Sequence, residues 1–137
     1  MTYQLNFEKL LTYDAGDAGI NLDVTLKLAE HIVGLTAKVD TGASCCIFER
    51  RHGEQLGVAV EQGMRQLFGT ATGEFLAYGH EVTLRVAGLE FDSVVFFAAD
   101  EQIRRSVLGR FGWLDRVVLG LVDYEGKLYL NSYEGEE

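Results

Sequence analysis

The sequence predicts an all-β fold, a closed sheet with one or two short helices. Three observations carry that reading. Leu22-Asp23-Val24-Thr25-Leu26-Lys27-Leu28 and Val82-Thr83-Leu84-Arg85-Val86 alternate apolar and polar residues, the mark of half-buried strands. Small-residue turns separate such runs, as at Ala87-Gly88 and around Gly126. Helical character is confined to residues 49–56, where Gly53 weakens the pattern and Gly57 marks a stop, and to one or two turns after Gly109.

In chain order, residues 1–19 read as an irregular extension whose Asp14-Ala15-Gly16-Asp17-Ala18-Gly19 segment is a turn. Its two aspartates lack the ordered ligand series and closing Glu of an EF-hand loop. Residues 22–28 and 32–39 form a hairpin across Ala29-Glu30-His31, with Asp40 at its far end. The apolar run 45–48 precedes the helical stretch. Residues 58–68 lead into a mobile connection, Gly69-Thr70-Ala71-Thr72-Gly73, and residues 75–86 return as a strand. After Ala87-Gly88 come residues 89–91 and a buried strand at 94–97. Residues 100–105 are a polar connection, and Val107-Leu108 is a short buried strand. Residues 117–123 and 128–130 pair as a last hairpin, leaving residues 131–137 as an acidic tail that frays at Glu134-Gly135-Glu136-Glu137. A chain of 137 residues is expected to form one domain, 1–137.

The net charge of −9 argues against nucleic acid or an anionic membrane surface as partner. No window approaches a membrane span of about 20 apolar residues. The first residues lack the basic and apolar regions of a signal peptide, so a cytoplasmic location is expected. Cys45 and Cys46 are adjacent and are the only cysteines. Neighbouring cysteines rarely satisfy disulfide geometry, and two thiols alone make a poor zinc site. They read as a buried small-residue pair; the other reading is a redox-sensitive thiol. His31, His52 and His80 fall in separate elements without metal-ligand spacing, which reads as scattered surface or boundary histidines.

The segment richest in chemistry is Asp40-Thr41-Gly42-Ala43-Ser44, entered from Leu35-Thr36-Ala37-Lys38-Val39. A strand delivers one carboxylate into a tight turn whose small residues let other groups crowd around it. Such a carboxylate can serve as a general base toward water. The same residues also make an ordinary turn. Far downstream, Val107-Leu108-Gly109-Arg110 places an apolar pair before a glycine that permits close backbone approach, and Phe111 and Leu114 follow on one face of a helical turn.

Together the two segments resemble the single-domain, retropepsin-like aspartic proteases. In that family an Asp-Thr/Ser-Gly turn and a downstream hydrophobic-hydrophobic-Gly segment form a psi-shaped loop pair. The resemblance runs from about residue 20 to 130 and implies the acid-protease closed β-barrel. It implies an aspartic endopeptidase that uses no cofactor or metal, because two carboxylates sharing one proton activate water themselves. The chain holds one Asp-Thr-Gly and is too short for two lobes, so a homodimer is expected to supply Asp40 twice. Thr41 is then expected to bond across the two-fold axis, and Gly42 to lie against the substrate backbone. Ala43 leaves no hydroxyl for the outer carboxylate oxygen. Val107, Leu108 and Gly109 brace the dyad from beneath.

The resemblance also implies a flap at residues 69–78, with Gly69 and Gly73 as hinges and Phe75 and Tyr78 covering a bound peptide; a plain surface turn is the other reading. Asp92, Asp100, Asp115 and Asp123 lack the small-residue turn and read as solvated or capping carboxylates. Two departures point toward cellular and bacterial members rather than viral ones. Ser44 stands where viral members carry an Asp, so Arg110 has no such partner and is expected on backbone carbonyls, on Asp115 or in solvent. The C-terminal hairpin is also longer than a single interface strand. A catalytically silent peptide-binding or dimerisation module on the same fold is the alternative function.

Overall fold

The computed structural model describes residues 1–133, so the tail expected to fray lies outside the described residues. The elements are β1 (Lys9–Thr12), β2 (Asn21–Leu28), β3 (His31–Val39), β4 (Ile47–Phe48), α1 (Arg50–Gln55), β5 (Met64–Thr70), β6 (Gly73–Val86), β7 (Leu89–Ala98), β8 (Val107–Leu108), β9 (Val117–Val122) and β10 (Lys127–Ser132). Single 3-10 turns lie at Val60–Gln62, Leu114–Arg116 and Asp123–Glu125. Among the described residues no helix is long and apolar enough to cross a membrane.

Alternation dictates the faces. Along β2, Leu22, Val24 and Leu26 are buried while Asn21 and Asp23 meet solvent. β2 and β3 pair antiparallel from Asn21↔Lys38 to Leu28↔His31, as the hairpin pattern predicts. The β6–β7 hairpin turns through Ala87 and Gly88, both left-handed at φ 54° and 82°. This is the backbone that a two-residue turn needs to match strand twist.

The larger sheet runs β2-β3-β8-β4-β7-β6-β5, and β2 also pairs with β6. Six strands therefore close into a ring, with β5 outside it. The long strand β6 makes this possible: residues 73–79 pair with β5 and residues 83–86 with β2. Inside lie Leu26, Phe48, Leu84, Phe97, Leu108 and Trp113, all about fully buried. Each such side chain contributes roughly 1.5–3 kcal/mol over its exposed state. Helix α1 packs on this core through Gly53; a Cβ there would stand 2.9 Å from Cγ of Phe97. The residue that weakens the helix is thus the one that lets it approach β7. Gly57, at φ +84°, ends it as expected.

A second sheet, β1-β10-β9, is antiparallel throughout and sends Leu128 and Leu130 into the same core. Here three expectations need correction. Residues 1–19 are not wholly irregular, because Lys9–Thr12 pairs with β10 from Lys9↔Leu130 to Thr12↔Lys127. Residues 131 and 132 belong to β10 rather than to a tail. The small-residue connection shrinks to Ala71-Thr72, since Gly69, Thr70 and Gly73 all pair within the β5–β6 ladder.

His52 also differs from expectation. It lies buried in α1, only 6% exposed. Burial, with the Arg51 charge adding to it, holds its imidazole below the ordinary value of 6.5, while Gln55 and Glu49 act in the opposite sense. A folded pKa below the unfolded one means that the unfolded chain takes up the proton first. The stability His52 contributes is therefore present above the unfolded pKa and lost as pH falls below it. We expect the melting temperature of the parent to drop more between about pH 7 and pH 5 than that of His52→Phe, in paired thermal scans. Equal slopes would remove His52 as the cause.

Candidate active site

β3 carries Asp40 to the edge of the core and leaves it half-buried. The Asp40 N–H donates to the Leu108 carbonyl at 3.0 Å, so β8 holds the residue from one side. Its Oδ1 accepts from the Gly42 N–H at 3.0 Å, and its carbonyl accepts from the Ala43 N–H at 3.1 Å. These bonds close the turn and leave Thr41, Gly42 and Ser44 exposed. Ala43 is buried beneath them.

The downstream segment is threaded against this turn. β8 pairs parallel with β3, Lys38↔Val107 and Val39↔Leu108, and Ile47 of β4 pairs antiparallel with Val107. Beyond it, the Arg110 N–H donates to the Ala43 carbonyl at 2.9 Å, and the Phe111 N–H to the Ser44 carbonyl at 2.8 Å. Gly109 sits where the two segments cross: an added Cβ would lie 2.2 Å from the Cys45 carbonyl oxygen and 2.9 Å from that of Ala43. No side chain larger than hydrogen fits. The structure thus brings Asp40, Thr41, Gly42, Ala43, Val107, Leu108 and Gly109 into one interlocked pair of loops.

Beside the turn lies a second apolar cluster. Ala43, Cys45, Ile47 and Val107 share it with Phe68, Phe75, Ala77 and Phe96. Phe68 stacks on Phe75 at 5.7 Å and meets Phe96 edge-on at 5.1 Å. The tip-side half of the β5–β6 hairpin is therefore packed on the same residues that underlie the Asp turn. Phe75 is buried there, whereas Tyr78, on the opposite face of β6, packs against the main core. Gly69 and Gly73 lie near the exposed hairpin tip, with open space around both.

Sequence reasoning missed Arg105. Its Nη2 lies 3.6 Å from Oδ2 of Asp40, the oxygen not engaged by Gly42. A cation two residues before the apolar pair was the available signal. Phe111 also departs from expectation: it lies extended in a parallel bridge with Cys45 and is 57% exposed, while Trp113 takes the buried place. Among the described residues the Arg110 guanidinium reaches neither a backbone carbonyl nor Asp115, and it sits over the Phe111 ring at 5.5 Å.

The four other aspartates weighed as a second carboxylate each have a local partner. Asp92 accepts from Thr83 Oγ1, Asp100 from the Gln102 N–H, Asp115 from the Gly112 N–H and Asp123 from the Tyr13 hydroxyl. Both cysteines are buried and free. Burial pushes the Cys46 thiol up to about 12, which keeps it protonated and unreactive at neutral pH. Among the described residues no group of three or more His, Cys, Asp or Glu side chains could hold a metal ion.

The family model described as aspartyl protease matches residues 24–111, the span from β2 through Phe111 that contains both loops. The chain belongs to the aspartyl protease family. Its fold is similar to that of a retropepsin-like aspartic protease from Rickettsia conorii, at 20% identity and TM-score 0.66, over 90% of this chain and 97% of that one. It is also similar to the EIAV protease solved in complex with the inhibitor HBY-793, at 20% identity and TM-score 0.56, over 73% and 88% of the two chains. The bacterial likeness is the more extensive, as the departures at Ser44 and Arg110 suggested. No curated protein matches the sequence.

Proposed function

We propose that this protein is an aspartic endopeptidase whose active site forms when two copies bring their Asp40 residues together on a two-fold axis. The observation that carries the reading is the interlocked loop pair, in which Leu108 and Gly109 hold an Asp-Thr-Gly turn with Asp40 half-buried and Thr41 and Gly42 exposed. Hydrolysis by this route needs two carboxylates about 3 Å apart. The ionised one draws a proton from water, and the protonated one polarises the scissile carbonyl. Among the described residues of one chain, Asp40 meets a cation, Arg105, rather than a second carboxylate. The second carboxylate therefore comes from a partner copy, across the exposed face that carries Thr41 and Gly42.

An extended peptide would lie between that face and the β5–β6 hairpin, bonded as an added strand. Gly69 and Gly73 give the hairpin tip freedom to close, and Phe75, just inside the tip, rests on the apolar cluster below. Tyr78 belongs to the core side of the strand in this reading. A membrane, a nucleic acid or a cofactor has no part in it.

The test is mass-spectrometric cleavage profiling of a mixed peptide library between about pH 4 and 7, with Asp40→Asn alongside. Cleavage by the parent and none by the variant supports the aspartic mechanism. The lone Asp40–Arg105 pair also fits a second reading, a silent peptide-binding module. That reading predicts binding without cleavage in a sample shown to be dimeric.

A further inference from the structure

We propose that Arg105 selects peptides carrying a carboxylate side chain on a residue next to the scissile bond. The inference rests on the reading of Asp40 as the peptidase carboxylate and specifies which substrates that site takes. Its first support is placement. Arg105 Nη2 lies 3.6 Å from Oδ2 of Asp40, while Oδ1 is turned to the Gly42 N–H. Reacting atoms must come within about 3–3.5 Å of one another. A guanidinium this close to the free carboxylate oxygen is therefore within reach of the side chains that flank the bond being cut.

The second support is unspent bonding capacity. At 3.6 Å the contact with Asp40 is an ion pair too long to be a hydrogen bond. Among the described residues Arg105 makes no hydrogen bond, and its side chain is 35% exposed. Five N–H donors in a planar fork are thus open to a carboxylate, which Arg binds bidentately. Arg50 is the contrast: it spends its donors on Glu54, Glu61 and the Ala99 carbonyl. A role as mere counter-ion to Asp40 explains little, since a half-exposed pair of this geometry stabilises weakly.

The third support is anchorage. The Lys38 N–H donates to the Ser106 carbonyl at 3.0 Å, so the main chain next to Arg105 is tied to the strand that delivers Asp40. The guanidinium therefore starts from a fixed base. Neighbouring Arg104 instead lines a cleft with Glu49, Glu54 and Glu101. On a chain of net charge −9 an acidic peptide gains nothing from the overall field, so the preference must come from this local cation. With two copies, one Arg105 stands on each side of the scissile bond.

The test uses the full chain and three peptides that differ only beside the cleaved bond, carrying Glu, Gln or Lys. kcat/KM for the Glu peptide is expected to exceed that for the Gln peptide by at least about tenfold, the size of one charge-assisted pair, with Lys the poorest. The Glu/Gln ratio should fall toward unity in Arg105→Gln, recover in part in Arg105→Lys, and shrink with added salt in the parent. Where no cleavage is seen, the same ratios are read from fluorescence-anisotropy binding of the same peptides. Cleavage or binding without an acidic preference, or a preference unchanged in Arg105→Gln, overturns the inference and leaves the peptidase or binding reading standing. Neither cleavage nor binding of any peptide overturns both.

Discussion

Asp40→Asn is expected to lower peptide cleavage by at least about three powers of ten, with the fold left intact. The amide has the shape of the carboxylate, and its oxygen can still accept the Gly42 N–H that closes the turn. The main-chain bonds from Asp40 to Leu108 and Ala43 do not involve the side chain. What is lost structurally is the pairing with Arg105, whose partners are 35% and 30% exposed, so its worth is under about 1 kcal/mol. What is lost chemically is the only base in the turn. Thermal scans should therefore place the variant within a few degrees of the parent while the cleavage assay falls to background. Retained cleavage would locate the chemistry elsewhere in the chain.

Gly109→Ala should do the reverse and damage the architecture first. Its Cβ would stand 2.2 Å from the Cys45 carbonyl oxygen, 2.6 Å from the carbonyl carbon and 2.9 Å from the Ala43 oxygen. These are backbone atoms, so no rotamer change relieves the clash. The loops must separate, and the bonds Arg110 N–H to Ala43, Phe111 N–H to Ser44 and Asp40 N–H to Leu108 stretch together. A loss of about 3 kcal/mol or more follows from overpacking and from backbone groups left unpaired. Gly34→Ala is the control, because nothing lies within 4 Å of its added Cβ. Denaturant unfolding should show a large drop for the first and little change for the second. Equal stability of the two would mean that the crossing is looser than described.

Local pattern made much of this legible. Leu22 to Leu28 alternates because one face of β2 is core, and the hairpin that delivers Asp40 follows from that alternation. Turn chemistry at Ala87-Gly88 is equally local. The crossing of the two loops is not: it became readable only through the likeness of two short motifs to a known family. Strand β1 escaped notice because Lys-Leu-Leu-Thr has no alternation, and it exists as a strand only by pairing with β10 at the other end of the chain. Arg105 escaped for the same reason. Its nearness to Asp40 arises from β8 lying parallel beside β3, a pairing that no spacing in the sequence records. Phe111 does not share a buried face with Leu114, because its bridge to Cys45 holds it at the surface and the chain turns through Gly109 to Asp115 by bonds five residues apart rather than as an i, i+3 helix. His52 looked like a boundary residue until the approach of α1 to β7 through Gly53 buried it.

The central claim is that two chains share one active site. Mixing the parent with increasing amounts of Asp40→Asn at constant total chain tests it most directly, with cleavage followed after subunits have exchanged. The account predicts that activity falls as the square of the parent fraction, because only dimers with two Asp40 carboxylates cut. Activity in simple proportion to the parent fraction would show that each chain works alone, and would contradict it.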